Sequence, residues 1–258
     1  MLETSYRLIK SFERRIRRKL KRVDPAALPR DFEPEFKPIH EACRPFTMTG
    51  PLRMYAMHQA VKYIESAEIP GDIVECGVWR GGSAMVAAMT MLALGRTGRT
   101  IWLYDTFEGM TLPSERDVDA DGRSALMRWN TEWSAGARRD GAGSDWCYAS
   151  LEEVRDNVLG TGYPEDRVRF VRGKVEDTIP EQSPPHIALL RLDTDWYDST
   201  YHEFVHLYPR LSEKGVLILD DYGSWQGARE ATDRYFAEHG DQPFLSRIDE
   251  AARVAIKP

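Results

Sequence analysis

The chain has 258 residues, a hydrophobic fraction of 42% and a formal net charge of -6, which predict one sizeable globular α/β domain. No apolar run approaches the roughly 20 residues of a membrane span, and the start of the chain lacks the apolar core of a signal peptide. The three isolated cysteines form neither a zinc-binding pattern nor a disulfide framework. We therefore expect a reducing, cytoplasmic setting and no membrane partner.

A strongly basic segment lies near the N-terminus. Residues 7–22 hold nine basic residues and one acidic residue, a local charge of +8, so the rest of the chain carries -14. That acidic body argues against nucleic acid as the main partner. An apolar stripe spaced four residues apart predicts a helix over residues 4–22. Its basic face suits an anionic membrane surface or RNA, but packing against another subunit is our preferred interpretation.

Residues 23–45 contain five prolines, which predict an extended arm. We therefore assign residues 1–46 to an N-terminal helix and arm, and residues 47–258 to the main domain. A helix is predicted over residues 49–67, and the stretch from residue 72 to residue 83 predicts a strand, a glycine turn and the start of a helix.

A glycine turn follows that first strand. It reads Gly77-x-x-x-Gly81-Gly82 and leads into a helix of small residues, where glycines allow a ligand to approach the backbone and the helix start offers free N–H groups. It differs from the Gly-x-Gly-x-x-Gly dinucleotide pattern. A second strand ends in Asp105, 30 residues after Glu75, and an acid at that place can accept both hydroxyls of a ribose. Together these features predict a nucleoside cofactor.

Residues 107–148 are too many for a plain connection in a compact domain. The segment carries Trp129, Trp133 and Trp146 among many charged residues. Tryptophans are costly to leave exposed, so we interpret the segment as a lid over the substrate, with a subunit contact as the alternative.

Two later strands end in acids. Residues 189–192 run into Asp193, and residues 216–219 run into Asp220 and Asp221, with a helix predicted over residues 199–211 between them. A strand–helix–strand unit returns its strands in parallel, so these carboxylates should converge at one edge of the sheet. Carboxylates that close repel one another unless a cation separates them, and Mg²⁺ fits such oxygen ligands best. The alternative is that the aspartates only cap turns and helices.

The remaining patterns are structural. His202-Glu203-Phe204-Val205-His206 matches a zinc-protease motif, but the apolar face of this helix opposes the histidines and no third ligand is evident, so we interpret the match as coincidence. Residues 168–171 predict a strand, and residues 225–238 a helix. Residues 244–248 and 253–256 predict a closing antiparallel pair.

Four stretches of the chain together resemble the macrocin and mycinamicin sugar O-methyltransferases, from about residue 47 to the C-terminus. These stretches are Glu75-Cys76-Gly77-Val78-Trp79-Arg80-Gly81-Gly82-Ser83, Asp105-Thr106-Phe107-Glu108-Gly109-Met110, Leu192-Asp193-Thr194-Asp195-Trp196-Tyr197 and Asp220-Asp221-Tyr222.

The resemblance implies a class I methyltransferase fold with a Rossmann-like seven-stranded sheet and helices on both faces, using S-adenosylmethionine and Mg²⁺ in antibiotic biosynthesis. It places the methionine part of the cofactor on the turn from Glu75 to Ser83, with Gly77, Trp79 and Gly81. It places the ribose on Asp105, the adenine near Gly173, Lys174 and Val175, and the metal on Asp193, Asp220 and Asp221. The resemblance also implies a homo-oligomer assembled through N-terminal segments.

The implied reaction transfers a methyl group to a hydroxyl on the sugar of a small glycosylated acceptor. Our hypothesis is that Asp193 is both metal ligand and general base, with His58 or Asp195 as the alternative base. A catechol-type O-methyltransferase with the same metal chemistry is the second enzyme interpretation. A nicotinamide-dependent oxidoreductase and a non-catalytic nucleoside-binding protein are further alternatives.

Overall fold

The computed structural model describes residues 28–133, 144–240 and 242–258, without the side chains of residues 132 and 133. The helix predicted over residues 4–22 therefore lies outside the described residues. The chain divides into two units, Met1–Glu33 and Pro34–Pro258. Within the first unit, the Phe32 amide donates a hydrogen bond to the Pro29 carbonyl at 3.2 Å.

The second unit is built on a seven-stranded sheet with the order β3-β2-β1-β4-β5-β7-β6. Five strands run in parallel, and β7 is antiparallel to both β5 and β6. The predicted sheet and its closing antiparallel pair are confirmed. The strands are β1 (Asp72–Cys76), β2 (Ile101–Asp105), β3 (Val168–Arg172), β4 (Ile187–Leu192), β5 (Leu211–Leu219), β6 (Ser246–Arg247) and β7 (Arg253–Ile256).

Helices cover both faces of this sheet. On one side α1, α2, α3 and α5 pack together, and on the other α6, α7 and α8 do so. The helices of the described residues are α1 (Phe36–Cys43), α2 (Pro51–Ser66), α3 (Gly82–Ala93), α4 (Ala125–Arg128), α5 (Leu151–Leu159), α6 (Val175–Thr178), α7 (Tyr197–Leu207) and α8 (Gln226–His239). None of these helices combines the length and the apolar character needed to cross a membrane.

The first helix replaces part of the extended arm predicted for residues 23–45. The expectation is wrong for α1, which buries Phe36, Ile39 and Cys43. Proline does not prevent it, because Pro34 precedes the helix and Pro38 lies in its first turn, where a backbone N–H has no helical partner. Counting prolines therefore overestimated the extended region.

The central strand and the following helix meet in the core as predicted. All six residues of β4 are buried, as expected for a strand covered on both faces. Helix α7 ends at Leu207, earlier than predicted, because Pro209 lies in the following 3-10 turn and cannot donate to a helical hydrogen bond. Phe204 and Leu207 are fully buried, whereas His202 Nε2 lies 2.9 Å from the Ile179 carbonyl oxygen.

The packing of Phe204 leads to a stability test. This ring is fully buried among Tyr208, Tyr235 and Phe236. Replacing Phe204 with alanine should lower the free energy of unfolding by about 3–5 kcal/mol, because it removes apolar contacts and leaves a cavity. The same change at Phe244, which is 86% exposed, should cost less than about 0.5 kcal/mol. Urea unfolding of both variants measures the difference, and equal losses would contradict this account of the core.

Candidate functional site

A cavity of about 210 Å³ opens at the carboxyl ends of the central strands. Its wall is formed by the glycine turn after β1, by the acidic ends of β4 and β5, and by the segment between α1 and α2. The lining residues are Phe46, Thr47, Met48, Thr49, Arg53, Gly77, Val78, Trp79, Gly82, Ser83, Asp105, Gly109, Met110, Cys147, Arg191, Asp193, Asp195, Asp220 and Asp221.

A second cavity of about 60 Å³ continues from the first. The two share Gly77, Asp105 and Asp193 as lining residues. The second also contains the predicted adenine-side residues Gly173, Lys174 and Val175, which follow β3 at the start of α6. Most of the predicted cofactor residues therefore line these two adjoining cavities: Gly77, Trp79, Ser83, Asp105, Gly173, Lys174 and Val175.

Asp105 is held by the backbone of the turns around it. Its Oδ2 atom accepts hydrogen bonds from the amides of Val78 at 2.7 Å and Trp79 at 3.1 Å, and Oδ1 accepts one from Phe107 at 2.7 Å. Burial raises the pKa of this carboxyl, and these amide hydrogen bonds oppose the rise. Asp105 thus fixes the shape of the glycine turn while lining the cleft.

The loops after β1 and β4 lie against each other at Gly77. A Cβ at this position would come within 1.9 Å of the Asp193 carbonyl oxygen, and the φ of Gly77 is +80°. Only glycine fits this contact. Trp79 and Asp195, which both line the cavity, have φ values of 47° and 66°, a conformation that costs energy and is concentrated at functional sites.

Glu75 and Gly81 take different places from the other predicted cofactor residues. Glu75 is buried, and its Oε1 atom lies 2.6 Å from Arg191 Nη1 instead of lining the cleft. Burial raises the pKa of Glu75 to about 7, although Arg191 opposes the rise. Gly81 precedes α3 with a φ of +88°, and its Cβ direction meets Val158 of α5. Neither residue lines the cavities. Glu75 and Gly81 instead contact residues that pack beside the turn.

Arg191 binds three carboxylates from inside the sheet. It lies on β4, is only 3% exposed, and reaches Glu75 at 2.6 Å, Asp193 at 2.6 Å and Asp220 at 2.7 Å. Sequence reasoning did not select it. The sequence did offer one signal, because Arg191 is the single charged residue in an otherwise apolar strand. Buried arginines are rare unless they are paired, so this position indicates an internal ion pair.

A second arginine approaches Asp220 from α2. Arg53 Nη1 donates to Asp220 Oδ2, while Arg53 Nε donates to Asp249 at 2.7 Å. Asp249 in turn accepts hydrogen bonds from the Ala251 and Ala252 amides. Each oxygen of Asp220 is therefore hydrogen-bonded to a different arginine.

Three carboxylates of the described residues could hold one metal ion together. Asp193, Asp195 and Asp221 each offer an oxygen within 4.8 Å of the other two. Asp221 Oδ2 is buried and accepts no hydrogen bond from a donor group in the described residues. Burial raises the pKa values of Asp193, Asp195 and Asp221, that of Asp195 to about 7. Crowded oxygen ligands of this kind fit a hard divalent cation such as Mg²⁺.

The structure thus brings Asp193 and Asp221 together as predicted, and adds Asp195 beside them. Asp220 lies at the same edge, bound to the arginines. His58, the other alternative base, does not line either cavity and is only 2% exposed. Its Nδ1 atom lies 2.8 Å from Thr90 Oγ1.

Three tryptophans pack beside the acidic strand ends. The rings of Trp146, Trp196 and Trp225 lie 5.0–6.3 Å apart, and Trp129 packs against the cluster. Trp196 also donates from its indole nitrogen to the Thr111 carbonyl at 3.0 Å. The tryptophans of the 107–148 segment that the structure describes therefore fold onto their own domain. The side chain of Trp133 lies outside the described residues.

Comparison with known proteins identifies the family. The model of the family Macrocin-O-methyltransferase (TylF) matches residues 37–255. The chain belongs to this family. It is an S-adenosylmethionine-dependent O-methyltransferase, and its fold is that of the class I methyltransferases.

Several relatives of this methyltransferase are similar over most of its length. The 8-demethyl-8-(2,3-dimethoxy-alpha-L-rhamnosyl)-tetracenomycin-C 4'-O-methyltransferase of Streptomyces olivaceus is 34% identical over 79% of the chain and 72% of the relative. The mycinamicin III 3''-O-methyltransferase of Micromonospora griseorubida is 32% identical over 79% and 75%. The solved structure of the O-methyltransferase NovP is 30% identical, with a TM-score of 0.69 and 82% of both chains covered.

The position of Asp105 in this methyltransferase predicts its effect on cofactor binding. If Asp105 accepts the ribose hydroxyls, as the resemblance implies, Asp105→Asn should weaken binding of S-adenosylhomocysteine at least about tenfold, because the charged acceptor is lost and the amide of asparagine faces backbone donors. Calorimetric titration measures the affinity. Asp121→Asn, in the exposed turn after Asp119, is the control and should bind normally. Undiminished binding by Asp105→Asn would contradict the proposed ribose position.

The buried position of Arg191 predicts a large loss of stability. Arg191→Met should lower the free energy of unfolding by about 3–5 kcal/mol, since Glu75 would be left buried without its cation. Arg167→Met changes an exposed arginine, 4.0 Å from Asp166, and should cost less than about 1 kcal/mol. Guanidinium unfolding of both variants provides the comparison, and a small loss at Arg191 would exclude a supporting role for it.

Proposed function

We propose that this methyltransferase transfers a methyl group from S-adenosylmethionine to a hydroxyl on the sugar of a small glycosylated natural product, with the help of Mg²⁺. One observation carries the proposal. The glycine turn and the carboxylates Asp193, Asp195 and Asp221 line the same cavity, so a sulfonium methyl group and an acceptor hydroxyl can meet there.

The cofactor would lie along the two joined cavities. Its methionine part would lie on the turn around Gly77, Trp79 and Ser83, its ribose at Asp105, and its adenine near Gly173 to Val175. This order directs the methyl group toward the strand ends of β4 and β5. Methyl transfer from a sulfonium is an in-line displacement, so alignment of the acceptor oxygen is the main contribution that these walls can make.

When bound at the carboxylates, Mg²⁺ would lower the pKa of an acceptor hydroxyl and fix its position. Asp193 and Asp221 belong both to the set predicted from sequence and to the set with suitable geometry. The third carboxylate is Asp220 in the first set and Asp195 in the second. The two arginines bound to Asp220 favour Asp195 as the residue with oxygens available to the cavity.

A carboxylate must also accept the proton of the acceptor hydroxyl. We retain Asp193 as the proposed general base and ligand, and Asp195 is the second candidate because it lines the cavity beside Asp193 and Asp221. A carboxylate that binds no metal is the stronger base. If Asp195 is the base and not the third ligand, Asp195→Asn should lose turnover and keep Mg²⁺ affinity, whereas loss of Mg²⁺ affinity would identify it as a ligand.

The sugar acceptor is supported by the relatives. The Streptomyces olivaceus and Micromonospora griseorubida enzymes are named for methylation of a rhamnosyl tetracenomycin and of mycinamicin III. The homo-oligomer implied by the resemblance and the assignment of residues 1–46 to assembly stay predictions. Residues 36–43 of that segment pack onto the methyltransferase unit itself.

Metal removal and acceptor choice test the proposed reaction. Treatment with EDTA should reduce turnover at least about a hundredfold, and added Mg²⁺ should restore it. Asp221→Asn should abolish turnover on glycosylated acceptors while S-adenosylhomocysteine still binds. Full activity after chelation would exclude the metal role, and methylation of phenolic but not glycosylated acceptors would replace the sugar with a phenol as substrate.

A further inference from the structure

We infer that Arg80 is a positioning residue that fastens residues 45–49 onto the glycine turn and thereby sets the affinity for the cofactor. The inference rests on the proposed placement of S-adenosylmethionine in the cavity beside that turn. Arg80 is not among the residues that line the two cavities, so it acts through the residues it holds.

Residues 45–49 connect α1 with α2 and form one wall of the cavity. Phe46, Thr47, Met48 and Thr49 all line it. Met48 is 63% exposed, and the flanking residues are only partly buried. Few apolar contacts therefore hold this wall, and a segment of this kind belongs to the less stable parts of a fold unless other contacts fix it.

Arg80 is also anchored by α5. Its Nε atom donates to Glu153, and its carbonyl oxygen accepts a hydrogen bond from Asn157 Nδ2 at 2.9 Å. Beneath it, the neighbouring Gly81 lies against Val158 of the same helix. These contacts hold the side chain and backbone of Arg80 against α5.

On the side of the wall, the guanidinium makes two kinds of contact. Its Nη1 atom donates to the Pro45 carbonyl at 3.0 Å, and its central carbon lies 5.2 Å from the centre of the Phe46 ring. The same carbon lies 5.8 Å from the Trp79 ring, within the glycine turn. One cation thus joins Phe46 to Trp79, two residues that line the cavity from different parts of the chain.

Gly82 shows how closely the wall lies on the turn. A Cβ at this position would stand 2.6 Å from both the Phe46 carbonyl oxygen and Thr47 Cβ. Neither neighbour is the end of a flexible side chain, so an added methyl group must shift either residues 46–47 or the start of α3. The wall and the glycine turn are therefore in direct contact at Gly82.

Calorimetric titration with S-adenosylhomocysteine tests the inference. Arg80→Met should weaken binding about tenfold, because the hydrogen bond to the wall and the cation–ring contacts are lost together. The KM for S-adenosylmethionine should rise by a similar factor while kcat changes less than about twofold. Arg80→Lys keeps the charge without the planar group and should give an intermediate loss.

Arg155 offers a matched control on α5. It also pairs with a carboxylate, Glu165, and lies 5.9 Å from an aromatic ring, that of Phe170, but it does not touch residues 45–49. Arg155→Met should bind S-adenosylhomocysteine within about twofold of the unchanged protein. An equal loss in this control would assign the effect to surface charge and overturn the inference.

A double-mutant cycle shows whether Arg80 acts through the wall. Phe46→Leu should weaken binding by itself. The double variant, Arg80→Met with Phe46→Leu, should bind S-adenosylhomocysteine nearly as well as the single variant with the lower affinity. If the two fold-losses of affinity multiply in the double variant, the inference is overturned. Should Arg80→Met fail to fold, Arg80→Lys supplies the test, and normal affinity in that variant would overturn the inference as well.

The Asp105→Asn variant distinguishes a failure of the role of Arg80 from a failure of the proposed cofactor position. If Asp105→Asn binds S-adenosylhomocysteine normally, the proposed cofactor position fails and the role of Arg80 fails with it. If Asp105→Asn loses binding and Arg80→Met does not, only the role of Arg80 is overturned.

Discussion

The site depends on the buried guanidinium of Arg191. It pairs with Glu75 of β1, with Asp193 at the end of β4 and with Asp220 at the end of β5. Taking such charges out of water is expensive, and several acids without a cation among them would repel one another. The arginine offsets that repulsion and keeps neighbouring strand ends in a common register. The acidic edge of the sheet can therefore exist in the folded protein before any ligand arrives.

Much of the fold could be predicted from short-range patterns. Apolar runs bounded by turn residues marked the parallel strands, and an acid after each of three strands marked the ligand-binding edge, as expected for open α/β sheets. The helical pattern predicted over residues 199–211 also gave the correct buried face, although the helix ends at Leu207, before Pro209. These features follow from each residue and its immediate neighbours.

The parts that sequence reasoning missed depend on contacts between distant residues. Arg53 and Asp249 are 196 positions apart, so no local pattern connects them with Asp220. Likewise, Asp195 was expected only as an alternative base, and its oxygen lies within 4.8 Å of those of Asp193 and Asp221, with its backbone in a left-handed conformation. The resemblance placed Glu75 with the cofactor, and the structure adds an ion pair between this buried residue and Arg191. Long-range charge pairing, rather than strand pattern, decides these positions.

The cluster of Trp146, Trp196 and Trp225 has a spectroscopic consequence. Indole rings 5.0–6.3 Å apart and steeply inclined to one another share their electronic excitation, so they should produce a strong, structured circular dichroism signal in the near ultraviolet. Trp146 belongs to the 107–148 segment, whereas Trp196 follows β4 and Trp225 follows β5. A change in that band would therefore report, without any added label, a change in the separation or orientation of Trp146 relative to Trp196 and Trp225.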